Sequence, residues 1–408
     1  MQDQHEFNME KVSPIWIVTG LCIVPLGLYF MLNLLSPLMH RFTAMKISEI
    51  YVYPIKSLRA VPMKEAIATA HGFKHDRTFM LLQKTESDSG GYKNMAVANY
   101  PEMTQFAQEL DMDKAVITVT YLAYGDKEKT RTIQVPLTPE TEKLDTMEIS
   151  MHSSPTAAFV MPAEFSAWFS ACFGYEVVLV YLSTNRRSVL FQDMQQQPVA
   201  VEEEASPRLT RLLQKSVPFA SSLLPGTSTT STTTTLPTAT SPWKITFADC
   251  APYLICSHTS LSNVSSRLPP GTTMDITKFR PNIVVSGAPE PFEEDYWGTL
   301  VVNGATEISL QHNCVRCKSI NIDYETGKQG EGPSGEVLKR LQKDRRVDVG
   351  ARWSPVFGRY GFLGKGVGGK GRGKGKGEEG EEMWRVGDRV HVKKVNERLT
   401  VFNWPNLG

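Results

Sequence analysis

The stretch QHNCVRCK, residues 311–318, sets Cys314 and Cys317 three positions apart with His312 just upstream. Cysteines at this spacing can grip zinc, cycle as a dithiol, offer one thiolate to another metal, or lie buried as small apolar side chains. Zinc wants about three protein ligands in a catalytic site and four in a structural one. His312 would bring the set to three, and no second CxxC occurs in the chain. A thioredoxin-like dithiol wants a helix N-terminus in a βαβ setting, whereas the flanking TEISLQH and SINIDY both read as strands. Arg316 and Lys318 flank Cys317, and nearby cations stabilise a thiolate. A soft thiolate among cations suits a soft or high-valent metal carried by an anionic cofactor. Residue types alone leave the single thiolate and the buried pair both open.

The elements around this stretch are short and mostly extended. MKISEIYVYPIKSL, DRTFMLLQ, KAVITVTYL, RTIQVPL and EVVLVYL alternate apolar and polar residues and predict strands. AEFSAWFSACFG has helical spacing with Gly174 as its stop. Further on, DCAPYLICSHTSLSNVSSRL predicts a strand and then a helix capped near Ser257 or Thr259. NIVVSG, GTLVVNG and RVGDRVHVKKV predict strands, and SGEVLKRLQK a helix. The expected domains are 45–190 and 243–400, joined by a Ser/Thr/Pro-rich linker at 191–242 expected to be disordered. A Gly/Lys-rich insert at 364–382 carries five cations followed by four acids. No aromatic residue interleaves its basic ones, so it reads as a solvated loop and not as a nucleic-acid tract.

Composition narrows the class. Over 408 residues the formal net charge is +1, which gives no global attraction to nucleic acid. Six scattered cysteines argue against a disulfide-built secreted fold and for a reducing compartment. Near the front, Pro14–Leu35 holds no charged residue and is long enough to cross a bilayer as a helix, within an anchor segment 1–42. Arg41 and Lys46 follow the span and Lys11 alone precedes it, so the positive-inside rule places the C-terminal body in the cytosol. The sequon Asn263-Val264-Ser265 is then never exposed to the glycosylation machinery.

RPNIVVSG, CVRC, DYETG, SPVFGRYGFL and VGDRVHV, in that order, resemble the C-terminal half of MOSC-domain proteins. YVYPIKS followed by HDRTFML resembles that family's N-terminal β-barrel domain. The likeness covers roughly 45–190, 243–363 and 384–394, and an anchor ahead of the two domains is similar to the family's amidoxime-reducing members. It implies a mainly β fold with some α (α+β), an N-terminal β-barrel-like domain and a MOSC β-barrel domain, preceded by one transmembrane helix. It also implies a molybdenum cofactor whose metal is ligated by Cys317, with Cys314 a neighbour. Lys56, Ser57, Arg77, Asp249, Arg280, Asn282 and Arg316 would line the cofactor. Cys250 and Ala251 stand where relatives often carry Gly, Thr or Ser, which puts a hydroxyl contact there in doubt. The implied activity is reduction of N-hydroxylated substrates, such as amidoximes and hydroxylamines. No haem, flavin or ferredoxin signature is present, so electrons would come from a cytochrome b-type haem protein and its NADH-dependent flavin reductase. Pyridoxal phosphate, which serves the sulfurase relatives, is not expected here. The implied location is the outer mitochondrial membrane, with the endoplasmic reticulum as the alternative; a cofactor or sulfur carrier is the rival function.

Overall fold

The computed structural model describes residues 45–85, 91–125, 130–195, 242–363 and 381–407, together with Tyr29 and Met31. The expected span Pro14–Leu35 therefore lies outside the described residues except at those two helical positions, and so do most of the linker and most of the Gly/Lys-rich insert. Among the described residues no helix is long and apolar enough to cross a membrane.

The described chain is mainly β with few helices. Its largest sheet closes on itself. Strands Ile283–Ser286, Tyr253–Ser257, Val356–Leu363, Thr306–Val315, Trp297–Val302, Arg389–Val395 and Met45–Val52 follow one another in space, and Met45–Val52 pairs back onto Ile283–Ser286. The strand nearest the N-terminus thus seals a barrel built otherwise by the second half of the chain. A register irregularity between Ile47 and Glu49 resets the alternation, so that Ile47 and Ile50 both point inward beside Ile255, Leu300 and Ile308. Closure leaves no unpaired edge in the ring. Val356–Leu363 is buried along its whole length. A Cβ on Gly361 would come within 2.7 Å of Ile255 Cδ1 and 2.8 Å of Ile308 Cγ2, so this strand can cross the crowded interior only with glycine there.

The first half otherwise forms a five-stranded and a three-stranded sheet around a separate core that includes Phe79, Phe106, Phe169 and Leu179. The helix Ala163–Phe173 packs into that core through Phe165 and Phe169 and ends at Gly174, whose φ of 80° is the left-handed C-terminal stop. A second predicted helix, His258–Ser266, is capped by Ser257, whose side chain accepts from Thr259 N at 3.2 Å. Of the third, SGEVLKRLQK, Val337–Leu341 is α-helical. SINIDY departs from expectation: Lys318–Asn321 is a 3-10 turn, leaving only Ile322–Asp323 as strand. The protein therefore turns sharply just after Cys317.

One buried acid makes stability pH-dependent. Burial, the largest cause, pushes the Glu294 carboxyl from its ordinary 4.5 up to about 7. An unfolded chain releases that proton near 4.5, so native stability falls as pH rises from there through about 7. Glu294→Gln is expected to restore up to about 3 kcal/mol near pH 8 and almost nothing near pH 4, as read by urea unfolding at the two pH values.

Candidate functional site

The strand Thr306–Val315 buries Cys314 and ends one residue later. Cys317 lies beyond that end, exposed, at the N-cap of the 3-10 turn. Two residues of extra chain thus separate a fixed interior thiol from a free one. Cys317 Sγ lies 3.2 Å from Ser319 Oγ. Cys314 Sγ receives Arg316 Nη1 at 2.7 Å and lies 3.2 Å from the Tyr360 hydroxyl. Arg316 therefore turns its guanidinium toward Cys314 and the carbonyl of Phe279, not toward the thiol beside it in sequence.

An open cleft lies at this end of the barrel. Of the eight expected site residues, six line it: Arg77, Asp249, Arg280, Asn282, Arg316 and Cys317. Lys56 reaches its edge through an ion pair with Asp249. Ser57 is buried nearby, 3.5 Å from the carbonyl of Met95. Three of these residues hold left-handed backbone: Ser57 at φ 69°, Arg77 at 52° and Arg280 at 56°. Such conformations cost of order 1–3 kcal/mol each, so the surrounding fold must impose them. For Arg77 it does so from both sides, because its N–H donates to Tyr53 O at 2.8 Å and its carbonyl accepts from Phe247 at 2.9 Å.

Tyr53 holds the two arginines. Its buried ring lies 4.5 Å from the Arg77 guanidinium carbon and 4.4 Å from that of Arg280. Asp76 offsets part of their mutual repulsion by accepting from Arg77. Asn282 is already spent on structure, since its Oδ1 accepts from Arg77 and from Leu254 N at 3.2 Å each while its Nδ2 donates to Tyr51 O at 3.3 Å. Arg280 is only partly so: one nitrogen donates to Leu58 O at 3.0 Å, and the guanidinium also bonds the buried Tyr324 hydroxyl. Arg316 Nε is buried without a hydrogen-bond partner among the described residues. A buried donor without an acceptor is costly, and an anion in the cleft would satisfy it.

Several contributors carry no sequence motif. Arg187, fully buried, donates to the carbonyls of Met151, Thr246, Ala248 and Asp249, which fixes the loop bearing Asp249. Among the described residues no carboxylate forms a salt bridge with it, and burial holds its pKa down to about 10. Ala251 lines the cleft, whereas Cys250 is buried at its margin, where burial pushes the thiol well up and keeps it neutral. His312 is remote from a ligand role: it is stacked on Phe191, with Nδ1 3.1 Å from Val401 O and Nε2 3.1 Å from Asp193. Among the described residues no group of three or more His, Cys, Asp or Glu side chains is placed to hold a metal ion, the HxxxH pair His71 and His75 included.

A barrel closed by its N-terminal strand, with an exposed thiol and converging arginines at one end, defines the class. Residues 44–176 match the MOSC N-terminal beta barrel domain and residues 242–391 the MOSC domain. The chain belongs to the MOSC-domain proteins. It is 36% identical over 121 residues to human mitochondrial amidoxime-reducing component 1, covering 29% of this chain and 34% of that one. Against the mouse protein of the same name the likeness runs over 324 residues at 23% identity, 77% of this chain and 76% of the relative. A rice molybdenum cofactor sulfurase is 23% identical over 308 residues, 74% of this chain but 31% of the sulfurase. The better-conserved matches thus span about a third of those relatives' length.

Proposed function

We propose that this chain is a molybdenum-cofactor-dependent oxidoreductase that reduces N-hydroxylated substrates. The observation that carries the reading is the meeting, in one cleft, of an exposed soft thiol at Cys317 with the guanidiniums of Arg77, Arg280 and Arg316, of which Arg316 Nε is buried without a hydrogen-bond partner among the described residues. The residues fit the group: an anionic pterin phosphate needs cationic forks, and a high-valent metal accepts a thiolate. Cys317 would be the metal ligand, while Arg77, Arg280 and Lys56 would receive the anionic end. When bound, such a cofactor would supply the electron pair that cleaves an N–O bond. The protein's own residues do the rest. Tyr53 keeps both guanidiniums in place, Arg187 fixes the loop beside them, and Arg316 holds Cys314 inside the wall so that one thiol alone faces solvent.

The mouse and human amidoxime-reducing relatives favour this reductase reading. The rice sulfurase favours the second reading, a cofactor or sulfur carrier without reductase activity. Electrons would come from a cytochrome b-type haem protein and an NADH-dependent flavin reductase, with the body tethered to the outer mitochondrial membrane and facing the cytosol. Molybdenum content per chain, followed by NADH-linked reduction of a model amidoxime with those two donors added back, tests the proposal. One molybdenum with turnover is expected. Metal without turnover selects the carrier, and absence of metal sinks both.

The tether has its own test. Arg41 and Lys46 behind the span predict that Asn263 is never glycosylated. Treatment of the expressed full chain with a glycosidase is expected to leave its gel mobility unchanged. A shift that Asn263→Gln removes would place the body in a lumen, out of reach of cytosolic electron donors.

A further inference from the structure

Lys56 and Asp249 form an unequal ion pair. The lysine side chain is 7% exposed, whereas that of the aspartate is 58% exposed. The cation is therefore held in the wall while the anion stands nearer the solvent. An ionised carboxylate is an acceptor only, so Asp249 cannot bind an anionic phosphate and would repel one. Yet it stands on the cation best placed to receive that phosphate. Resting on the cofactor reading above, the structure assigns Asp249 the role of an internal anion that guards Lys56 and is handed to His152 when a phosphate takes its place.

Three observations support the exchange. First, a second hydrogen-bonding partner is already in position, with His152 Nε2 3.5 Å from the same Asp249 oxygen that Lys56 contacts. That imidazole is placed by the fold: His152 and Ser153 hold φ of 52° and 63°, and Trp404 Nε1 donates to the His152 carbonyl at 3.0 Å. Second, the backbone cannot follow the side chain, because Arg187 grips the carbonyls of Ala248 and Asp249. The movement is a rotation of one carboxylate. Third, the site cannot stand empty of anion. Burial lowers the Lys56 pKa, Asp249 opposes that shift, and Arg77 and Arg187 add to it. With Asp249 gone and nothing in its place, Lys56 faces two arginines unpaired. An incoming phosphate removes that penalty, and the His152 contact offsets the loss on the aspartate side.

The test uses the full chain, freed of metal, with inorganic pyrophosphate as the probe and calorimetry as the readout. Asp249→Asn removes the resident charge and is expected to tighten pyrophosphate binding at least tenfold. Adding Lys56→Gln should cancel that gain. His152→Gln should weaken binding severalfold when Asp249 is present and change nothing in the Asp249→Asn background. Asp249→Ser serves as the second variant, with thermal unfolding confirming that each protein is folded. Unchanged or weaker binding in both Asp249 variants overturns the inference, as does a gain that survives Lys56→Gln. Equal effects of His152→Gln in the two backgrounds overturn the hand-over. Molybdenum content is measured separately on the untreated chain, so a failed cofactor reading and a failed anion exchange give different results.

Discussion

Cys317→Ala is expected to abolish reduction of a model amidoxime, and Cys314→Ala to leave most of it. Cys317 stands past the end of its strand, exposed, with Ser319 beside its sulfur. Loss of a metal ligand should exceed the roughly 10–100-fold penalties typical of the groups that merely orient ligands. Molybdenum per chain should fall together with the rate. Cys314→Ala acts differently. It strands the Arg316 nitrogen that donates to this sulfur in the interior, at a cost of about 1–3 kcal/mol in stability. Its signature is a lower unfolding midpoint in urea with turnover largely kept. Equal loss of activity in the two variants would instead point to a two-cysteine site.

Tyr53→Ala should be nearly as damaging for a different reason. The fully buried ring lies between the guanidiniums of Arg77 and Arg280 and donates its hydroxyl to Pro281 O at 3.1 Å. Removing it opens a cavity and leaves two cations facing each other without the aromatic surface that attracts both. The stability loss is expected to be about 3–5 kcal/mol, accompanied by loss of cofactor loading. Tyr53→Phe keeps the ring and gives up one hydrogen bond, about 1 kcal/mol, with loading retained. If alanine destabilises the fold yet loads molybdenum normally, Tyr53 supports the barrel and not the site.

Much of this molecule was legible in its residues. Alternation marked the strands, Gly174 and Ser257 marked helix ends, and the order of short motifs pointed to the two domains that the family matches bear out. The cations at Arg77 and Arg280, and the thiol at Cys317, were also named, because the resemblance to MOSC-domain proteins carries those positions over from matching motifs. Six of the eight named positions line one cleft. Arg187, Tyr53 and His152 were not legible. A buried arginine that grips carbonyls, an aromatic ring between two cations and a histidine on a strained turn look in sequence like ordinary surface or core residues. Only their partners distinguish them, and those partners lie far away along the chain.

The sequence by itself determined the mainly β character, through local periodicity, and the family, through the order of its short motifs. The likeness to that family in turn singled out Cys317, Arg77 and Arg280 as expected site residues. Tertiary structure alone decided which cysteine is free, because that depends on where the Thr306–Val315 strand ends. It decided that Met45–Val52 closes a barrel whose other strands begin some two hundred residues later, a pairing set by a shared apolar face and not by proximity along the chain. It also decided that Lys56, expected to line the cofactor, already holds a carboxylate. Ion pairing across such sequence separations follows from the closed fold, which brings two loops to one mouth and excludes water from only one of the two charges.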